Sequence, residues 1–380
     1  MTGAQDFTHY IMLPHIRVEA AQAFAAPQLH GFPAMTAFTG LKTALERRCR
    51  TPDRPLRFHA VGVVAHDVEE LATRGEFHQT RNPILKNRET RPFQPEGRLN
   101  MTVTLLFAVS APDYWLHEDR PELPQQVHGM LSTMRVAGGT VVPELHPDPT
   151  RFPLKPVLMR KADFEDSWNK STTADLLALP EEAPPPPLSE DGKGEKPKAK
   201  TAQKPPSQRR VPPLKRMLMP GATLLEEPGL LGQRLEELRQ EDPQATPFDA
   251  WLSLGMVTQH SEKDEAGKVQ WVSDRKGLGG VVPIAVGYGA IGPCHPAGTV
   301  ADARNASVPF QAVESLYSIG RWKWPCALTD PIHLLWAEHT EPERGVYRVG
   351  MVSPAPVDEG TEEATSQPEI VSGQPQEATD

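Results

Sequence analysis

Six stretches between His9 and Pro143 have the pattern of a strand or a helix. Their order constrains the fold more than any other feature of the chain. Runs of apolar and β-branched residues favour strands, whereas apolar residues three or four apart favour a helix. In chain order, the sequence predicts a strand at His9–Val18, a helix at Thr36–Cys49, strands at Arg57–Asp67 and Leu99–Val109, a helix at Pro121–Val136 and a strand at Thr140–Pro143. The order β-α-β-β-α-β is that of the ferredoxin-like arrangement, so we predict an α+β fold with a ferredoxin-like core.

The order of elements does not by itself assign a function. RNA-recognition domains share it, but they usually carry aromatic RNP motifs on the sheet, and we find none in this sequence. Folds of this kind host many unrelated activities. The function therefore has to be argued from particular residues.

The first predicted helix begins in a way that favours an anion. A Gly-Phe-Pro turn precedes it, because Pro33 cannot occupy a helix interior. Thr36 is expected to cap the first turn. The free N–H groups of such a turn can bind a phosphate, but they can equally bind water. One side of the helix is predicted to be buried through Phe38, Leu41, Leu45 and Cys49.

The chain is predicted to divide into five segments. These are a ferredoxin-like core at 1–180, a disordered Pro/Lys-rich insertion at 181–216, a helical insertion at 217–262, a C-terminal β/α part completing the fold at 263–353, and a disordered acidic tail at 354–380. In the later segments we expect helices at Leu224–Leu254, Phe310–Ile319 and Pro331–Glu338, and strands at Trp271–Val286 and Val346–Val352. The helical pattern near Gly138-Gly139 is expected to stop there, as at a helix C-cap.

Charge is segregated along the chain. The net charge of −9 excludes a uniformly basic nucleic-acid binder. The tail from Pro354 to Asp380 has seven acids and no Lys or Arg, whereas Lys193–Arg216 has nine Lys or Arg and one acid. The basic run is either a solvated linker or an electrostatic nucleic-acid arm, and the sequence leaves both open.

Cysteine usage and the N-terminus favour a cytoplasmic protein. The three cysteines Cys49, Cys294 and Cys326 are an odd number without close spacing, so they predict neither a disulfide framework nor a zinc site. That usage fits a reducing compartment. We also find no signal pattern and no apolar run near the ~20 residues that span a membrane.

The sequence gives little support for an enzyme. Gly287, Gly289 and Gly292 spell G-x-G-x-x-G, but PCHPAG follows where a dinucleotide fold needs a helix. The thirteen histidines show no metal-ligand spacing. We therefore predict no catalysis, no cofactor and no metal, although sequence cannot exclude a histidine that meets a partner in space.

Basic residues beside turns are more informative. Arg47 and Arg48 lie on the first helix, and Arg135 precedes the glycine pair. Arg81-Asn82 and Arg304-Asn305 lie in predicted loops. Each alone is typical of a surface ion pair, but together they indicate a site that follows a phosphate backbone.

Five separated blocks resemble one known family. They are GFPAMTAFTGLKTALERR, QTRNP, MRVAGGTVVP, GYGAIGP with ARNASVPFQAVESLY, and EPERGVYR, and they span about residues 10 to 352. Together they resemble the Csy-type subunit of type I-F CRISPR surveillance complexes that sits at the 5′ end of the crRNA, in the Cas-five class of RAMP proteins. The Pro/Lys-rich insertion and the acidic tail differ from compact members of that family.

The resemblance implies a non-catalytic subunit for antiviral defence. It implies binding to the crRNA 5′ handle, pairing with the large subunit beside the first backbone RAMP subunit, and recognition of double-stranded DNA by the assembled complex. It maps the family's glycine-rich loop onto Gly138 and Gly139, and the start of its first helix onto Phe38, Thr39 and Gly40. The predicted RNA-binding residues are Thr39, Gly40, Arg47, Arg81, Asn82, Arg135, Gly138, Gly139, Arg304 and Asn305.

Two alternatives compete with this prediction. A RAMP-type ribonuclease that processes repeat RNA would need a histidine such as His15 or His30 near the glycine-rich loop. A module that binds only protein partners would leave the basic residues without an RNA role. His30 or Phe32 is also placed to stack on a base, although a core role for Phe32 is equally compatible with the sequence.

Overall fold

The structure is a computed structural model of the full chain. It describes residues 6–71, 97–116, 120–143, 155–170, 214–257, 259–263, 269–273, 278–303 and 305–352. The fold is mixed α/β, with a large, mainly antiparallel sheet of eleven strands. None of the helices in the described part of the chain is long and apolar enough to cross a membrane.

The strands and helices alternate irregularly along the chain. The strands are β1 His9–Gln22, β2 Phe24–Ala26, β3 Leu29–His30, β4 Arg57–Glu70, β5 Arg98–Ser110, β6 Arg135–Val136, β7 Gly139–Val142, β8 Val157–Arg160, β9 Ala222–Glu226, β10 Gln259–Lys263, β11 Val269–Ser273, β12 Val281–Ala290, β13 Val313–Lys323, β14 Leu335–Glu341 and β15 Val346–Met351. The helices are α1 Met35–Cys49, α2 Asp113–Leu116, α3 Leu123–Leu131, α4 Lys161–Lys170, α5 Leu214–Met217, α6 Pro228–Glu241 and α7 Pro247–Gly255, with 3-10 turns at Pro325–Ala327, Pro331–Leu334 and Pro342–Arg344.

The four strands predicted in the first half of the chain are confirmed. They lie side by side in the order β4-β5-β1-β7, and each neighbouring pair is antiparallel. Strand β5 lies between β4 and β1, and most of its residues are buried. Burial on both faces explains why its sequence, LNMTVTLLFAV, is a nearly continuous apolar run.

Helix α1 is confirmed at almost its predicted length, but its predicted cap is wrong. The predicted apolar stripe is buried, with Phe38, Leu45 and Cys49 fully inaccessible. Ala34 occupies the N-cap position and makes no side-chain cap bond. Thr36 lies inside the first turn, where its carbonyl oxygen accepts from the Thr39 hydroxyl at 3.2 Å. The helix is held by burial of its apolar side rather than by a cap.

The glycine pair after the second predicted helix does not cap that helix. Helix α3 ends at Leu131, and the chain then forms the hairpin β6–β7. Gly138 has φ of +77° in the turn of this hairpin. A Cβ on Gly139 would lie 2.7 Å from the Glu19 carbonyl oxygen, so glycine allows β7 to approach β1.

Several predicted elements in the second half are wrong. The helical stretch expected at Leu224–Leu254 is confirmed as α6 and α7 for most of its length, but its start is wrong, because strand β9 covers Leu224. The helix expected at Phe310–Ile319 is mostly strand β13, and the one expected at Pro331–Glu338 is a 3-10 turn followed by β14. The single strand expected at Trp271–Val286 is replaced by β11 and the start of β12. The last predicted strand is confirmed as β15.

Tertiary pairing explains these differences. Six strands form a closed ring in which each strand is hydrogen-bonded to the next. The spatial order is β4-β9-β13-β12-β15-β14, and β14 pairs with β4 to close the ring. Hydrogen bonds from both neighbours hold β13 as a strand. Helix α1 contacts β4, β12, β14 and β15 of this ring. The local sequence pattern does not reveal these pairing partners, because they are distant in the chain.

The two segments predicted to be disordered fall almost entirely outside the described residues. This holds for the insertion from 181 up to residue 213 and for the whole acidic tail at 354–380. The end of the predicted insertion forms helix α5, in which Leu214 and Lys215 are buried, so these residues belong to the fold. The division of the chain into five segments stays a prediction.

Candidate nucleic-acid interface

A groove of about 520 Å³ runs beside the start of helix α1. We call it the α1 groove. It is lined by Gln22, Phe24, Ala25, Pro33, Ala34, Thr36, Ala37, Gly40, Leu41, Ala44, Met134, Arg135, Ala137, Gly138, Tyr288 and Tyr347. None of these lining residues is acidic and one is a cation, so the groove offers no carboxylate to repel a polyanion.

Small residues of α1 form one wall. Ala37, Gly40 and Ala44 are three or four positions apart, so they share one side of the helix. A Cβ placed on Gly40 would meet no atom within 4 Å. The wall therefore lets a ligand come close to the helix backbone. Arg47 is exposed one turn beyond Ala44, on the same side of α1.

The β6–β7 hairpin forms the opposite wall. Arg135 is exposed at its start, and the turn has positive φ at Ala137 (+48°) and Gly138 (+77°). The backbone N–H of Gln22 donates to the Ala137 carbonyl oxygen at 2.9 Å, which fixes the turn to β1. Arg98 lies beside the same turn, because its Nη1 is 4.0 Å from the position of a Cβ on Gly138. The hairpin thus brings Arg135 to the groove, with Arg98 of β5 beside its turn.

Two tyrosines from the C-terminal strands form the end of the groove. Tyr288 and Tyr347 are directly opposite each other on β12 and β15. Their ring centroids are 6.4 Å apart and the planes differ by 21°. The hydroxyl groups of Tyr347 and Thr39 are 3.4 Å apart. Burial raises the pKa of Tyr347, which stays protonated near neutral pH.

Eight of the ten predicted site residues fall into three groups. Gly40, Arg135 and Gly138 line the α1 groove, and Thr39 is buried directly behind it. Gly139 is also buried, where it serves the β1–β7 contact. Three predicted residues, Arg81, Asn82 and Arg304, lie outside the described part of the chain.

Asn305 and Arg48 have local structural roles instead. Asn305 accepts from the Ser307 backbone N–H at 3.0 Å and does not line the groove. Arg48 donates to the Thr133 hydroxyl at 2.8 Å, which ties α1 to the turn after α3. Neither contact requires a ligand.

The aromatic and histidine candidates from the sequence are not part of the groove lining. Phe32 stacks on Phe38 with centroids 5.6 Å apart and packs against the core, which decides in favour of the core role. His30 Nε2 is 3.2 Å from a Glu70 carboxylate oxygen. Neither Phe32 nor His30 lines the groove.

His15 stacks on His66, with ring centroids 4.0 Å apart. His66 Nδ1 lies 2.7 Å from the Pro220 carbonyl oxygen, and Nε2 lies 2.7 Å from the Thr104 hydroxyl. Burial is the main cause that lowers the pKa of His66 to about 4, so this ring is neutral near neutral pH. Among the described residues, no group of three or more His, Cys, Asp or Glu side chains is placed to hold a metal ion.

A second cavity, of about 610 Å³, lies near Arg54, Trp115 and Arg120. Its lining includes the carboxylates of Asp53 and Glu122 beside the two arginines. Mixed charge of this kind does not select a polyanion. The α1 groove is therefore the better candidate for a nucleic-acid contact.

Sequence reasoning missed the two tyrosines. Their signal was present in GYG and GVYR, which were recognised as family blocks but given no role. Nothing in the spacing of residues 39, 288 and 347 shows that they meet. The sheet pairing of β12 with β15 and the packing of α1 bring them together.

Comparisons with known proteins agree on one family. The family model described as CRISPR-associated protein (Cas_Csy2) matches residues 11–182 and 188–349. The CRISPR-associated protein Csy2 of Pseudomonas aeruginosa (strain UCBPP-PA14) is 31% identical over 353 residues, which cover 89% of this chain and 94% of that protein. The matched ranges include every residue that lines the α1 groove.

Proposed function

The chain belongs to the Cas_Csy2 family of CRISPR-associated proteins, and we propose that it is a non-catalytic subunit of a type I-F surveillance complex that binds the 5′ handle of the crRNA. In this proposal the subunit is of the Cas-five class of RAMP proteins and acts in antiviral defence. The observation that carries the RNA-binding part is the gathering of Gly40, Arg135 and Gly138 around one groove.

The fold supports the RAMP assignment. Strands β4, β5, β1 and β7 are adjacent and antiparallel. Along the chain, α1 lies between β1 and β4, and α3 lies between β5 and β7. This is the strand order expected of a β-α-β-β-α-β core. We therefore propose a ferredoxin-like core that the C-terminal strands extend.

The chemistry of the α1 groove suits the backbone of single-stranded RNA. Arg135 provides a guanidinium group for a phosphate, and Arg47 continues the path along α1. The small residues at positions 37, 40 and 44 allow a close approach, and the absence of acidic lining residues avoids repulsion. Contacts of this type position an RNA strand without reading its bases.

Further partners follow from the family. We propose that the chain pairs with the large subunit beside the first backbone RAMP subunit, and that the assembled complex binds double-stranded DNA. Several large apolar side chains outside the groove are exposed and available for such contacts. They include Ile291, Val308, Phe310, Val313 and Trp324.

Arg135→Ala tests the RNA-binding proposal. The purified protein, alone and with the large subunit, is titrated with repeat-derived handle RNA at several salt concentrations. Loss of one phosphate contact should lower the magnitude of the slope of log K against log salt by about 0.7. Arg234→Ala, on α6 away from the groove, is the matched control. Unchanged affinity and slope for Arg135→Ala and Arg304→Ala would favour the module that binds only protein partners.

The ribonuclease alternative has a separate test. His15 is stacked on His66 and His30 contacts Glu70, and neither lines the groove. The pure protein is incubated with its repeat RNA in EDTA. We expect intact RNA, whereas cleavage that His15→Ala or His30→Ala abolishes would overturn the non-catalytic proposal.

A further inference from the structure

A contact with phosphates alone would use at most the hydroxyl groups of Tyr288 and Tyr347, and would leave their aromatic rings, which line the α1 groove, without a role. A phosphate needs cations and N–H donors, which Arg135 and the hairpin turn supply. Two nearly parallel aromatic rings at the end of such a groove offer a π-face instead. Base–aromatic stacking is the usual use of such a face in proteins that bind single strands.

The strand geometry aims Tyr288 at the groove. Residues directly opposite each other in antiparallel strands project to the same face, as Tyr288 and Tyr347 do. Gly287 has φ of +154° and lies at a register shift in the β12–β13 pairing. A Cβ at this position would collide with the Tyr347 carbonyl oxygen. Only glycine therefore fits the bulge that re-aims the following tyrosine.

The two tyrosines differ in exposure. Tyr347 is half-buried, and its hydroxyl lies beside Thr39 of α1. Tyr288 is 42% exposed and lines the groove. The inner ring is thus held by the core, while the outer ring has a free surface for a ligand.

From this geometry we propose that Tyr288, supported by Tyr347, is a stacking site for one unpaired nucleobase of a single-stranded RNA whose backbone passes Arg135 and Gly138. This inference rests on the proposed function and narrows it. A duplex has no exposed base face inside its stack, so the site selects a strand with at least one base unstacked. The contact is independent of base identity, because every base has a π-face.

Handle RNAs with a single abasic position test the stacking. The full-length protein binds a set of such RNAs, each lacking a different base, and the affinities of wild type and Tyr288→Ala are compared in a double-mutant cycle. Tyr288→Ala should weaken binding of the intact RNA by about 5- to 100-fold, as loss of one stacked base does. One abasic RNA should bind wild type equally weakly and should lose nothing further with Tyr288→Ala.

Three controls separate stacking from other effects. Tyr288→Phe keeps the ring and should bind like wild type. Trp271→Ala removes another exposed aromatic side chain, one that is outside the groove, and should have no effect. Tyr288→Ala should leave the salt slope unchanged, because stacking releases no counterions, whereas Arg135→Ala lowers it.

The outcomes distinguish this inference from the proposed function. If wild type binds the handle and Arg135→Ala lowers the slope, but Tyr288→Ala has no effect, the stacking site is wrong and the RNA-binding proposal stands. If wild type binds no handle RNA, alone or with the large subunit, both are wrong. A photocrosslinker at position 288 that captures a partner protein rather than RNA in the assembled complex would also overturn the stacking site.

Discussion

Helix α1 has two sides that differ in chemistry. The side against the sheet carries Phe38, which is fully buried, and Lys42, whose Nζ binds a Glu338 carboxylate oxygen at 2.6 Å. Thr43 donates to the other oxygen of that carboxylate at 3.0 Å, so an ion pair and a hydrogen bond connect α1 to β14. The side against the α1 groove carries small residues at positions 37, 40 and 44.

The difference shows how one helix separates stability from binding. Substitutions on the sheet side should change the free energy of unfolding and leave the RNA affinity of the folded protein intact. Substitutions on the groove side should change the RNA affinity and should not destabilise the fold. Four variants test this separation, in order of decreasing effect.

The largest effect is expected for Phe38→Ala. Phe38 is fully buried and stacks on Phe32 with centroids 5.6 Å apart. Removing a buried phenyl ring leaves a cavity and costs about 3–5 kcal/mol of unfolding free energy. Urea denaturation measures the loss, and RNA titration of the folded fraction should give the wild-type affinity. A normal stability with a reduced affinity would contradict the assignment of this side to the core.

Lys42→Met should have the second largest effect. The Lys42 side chain is 6% exposed and the Glu338 side chain 24% exposed, so the substitution removes the cation from a largely desolvated carboxylate, which keeps only its hydrogen bond from Thr43. Because Glu338 keeps some contact with water, we expect about 1–3 kcal/mol, less than for a fully buried pair. The exposed Arg47→Met serves as the matched control and should stay within about 0.5 kcal/mol. Adding Glu338→Gln to Lys42→Met should recover part of the loss in thermal unfolding.

Gly40→Ala should change stability in the opposite direction. Gly40 is in the interior of α1, and an added Cβ meets no atom within 4 Å. Replacing glycine by alanine in a helix should therefore stabilise the fold by about 0.5–1 kcal/mol. Gly40→Leu should keep most of that gain while weakening handle binding, because its side chain extends into the groove. Equal RNA affinity for both variants would show that this wall does not contact the ligand.

Thr36→Ala should have the smallest effect. Loss of an N-cap typically costs about 1 kcal/mol, but the Thr36 side chain does not cap α1, because Ala34 holds that position. We expect a change below about 0.5 kcal/mol in chemical denaturation. A loss of 1 kcal/mol or more would restore the capping role that the sequence predicted.

The candidate site could be predicted in part from the sequence. Gly40, Arg135 and Gly138 were found because turns and the start of α1 have local signatures, and the structure brings them to one groove. Tyr288 and Tyr347 were missed because an aromatic residue in a strand has the same sequence signature in a core as at a binding surface. Thr39 and Tyr347 meet across 308 positions of the chain, and no spacing rule reaches that far.

By itself the sequence determined the elements whose pattern is local and strong. The buried strands β1, β4 and β5 could be recognised from their apolar, β-branched runs, and the amphipathic helix α1 from apolar residues at helical spacing. The tertiary structure alone decided strands β9, β13 and β14 in the second half, where the local pattern predicted helices. Strand β13 is a strand because β12 and β9 bind its backbone on both edges, and the α1 groove has its aromatic end because the ring of strands carries β12 and β15 to α1. Hydrogen bonds between distant segments, rather than the local sequence, fixed those parts of the molecule.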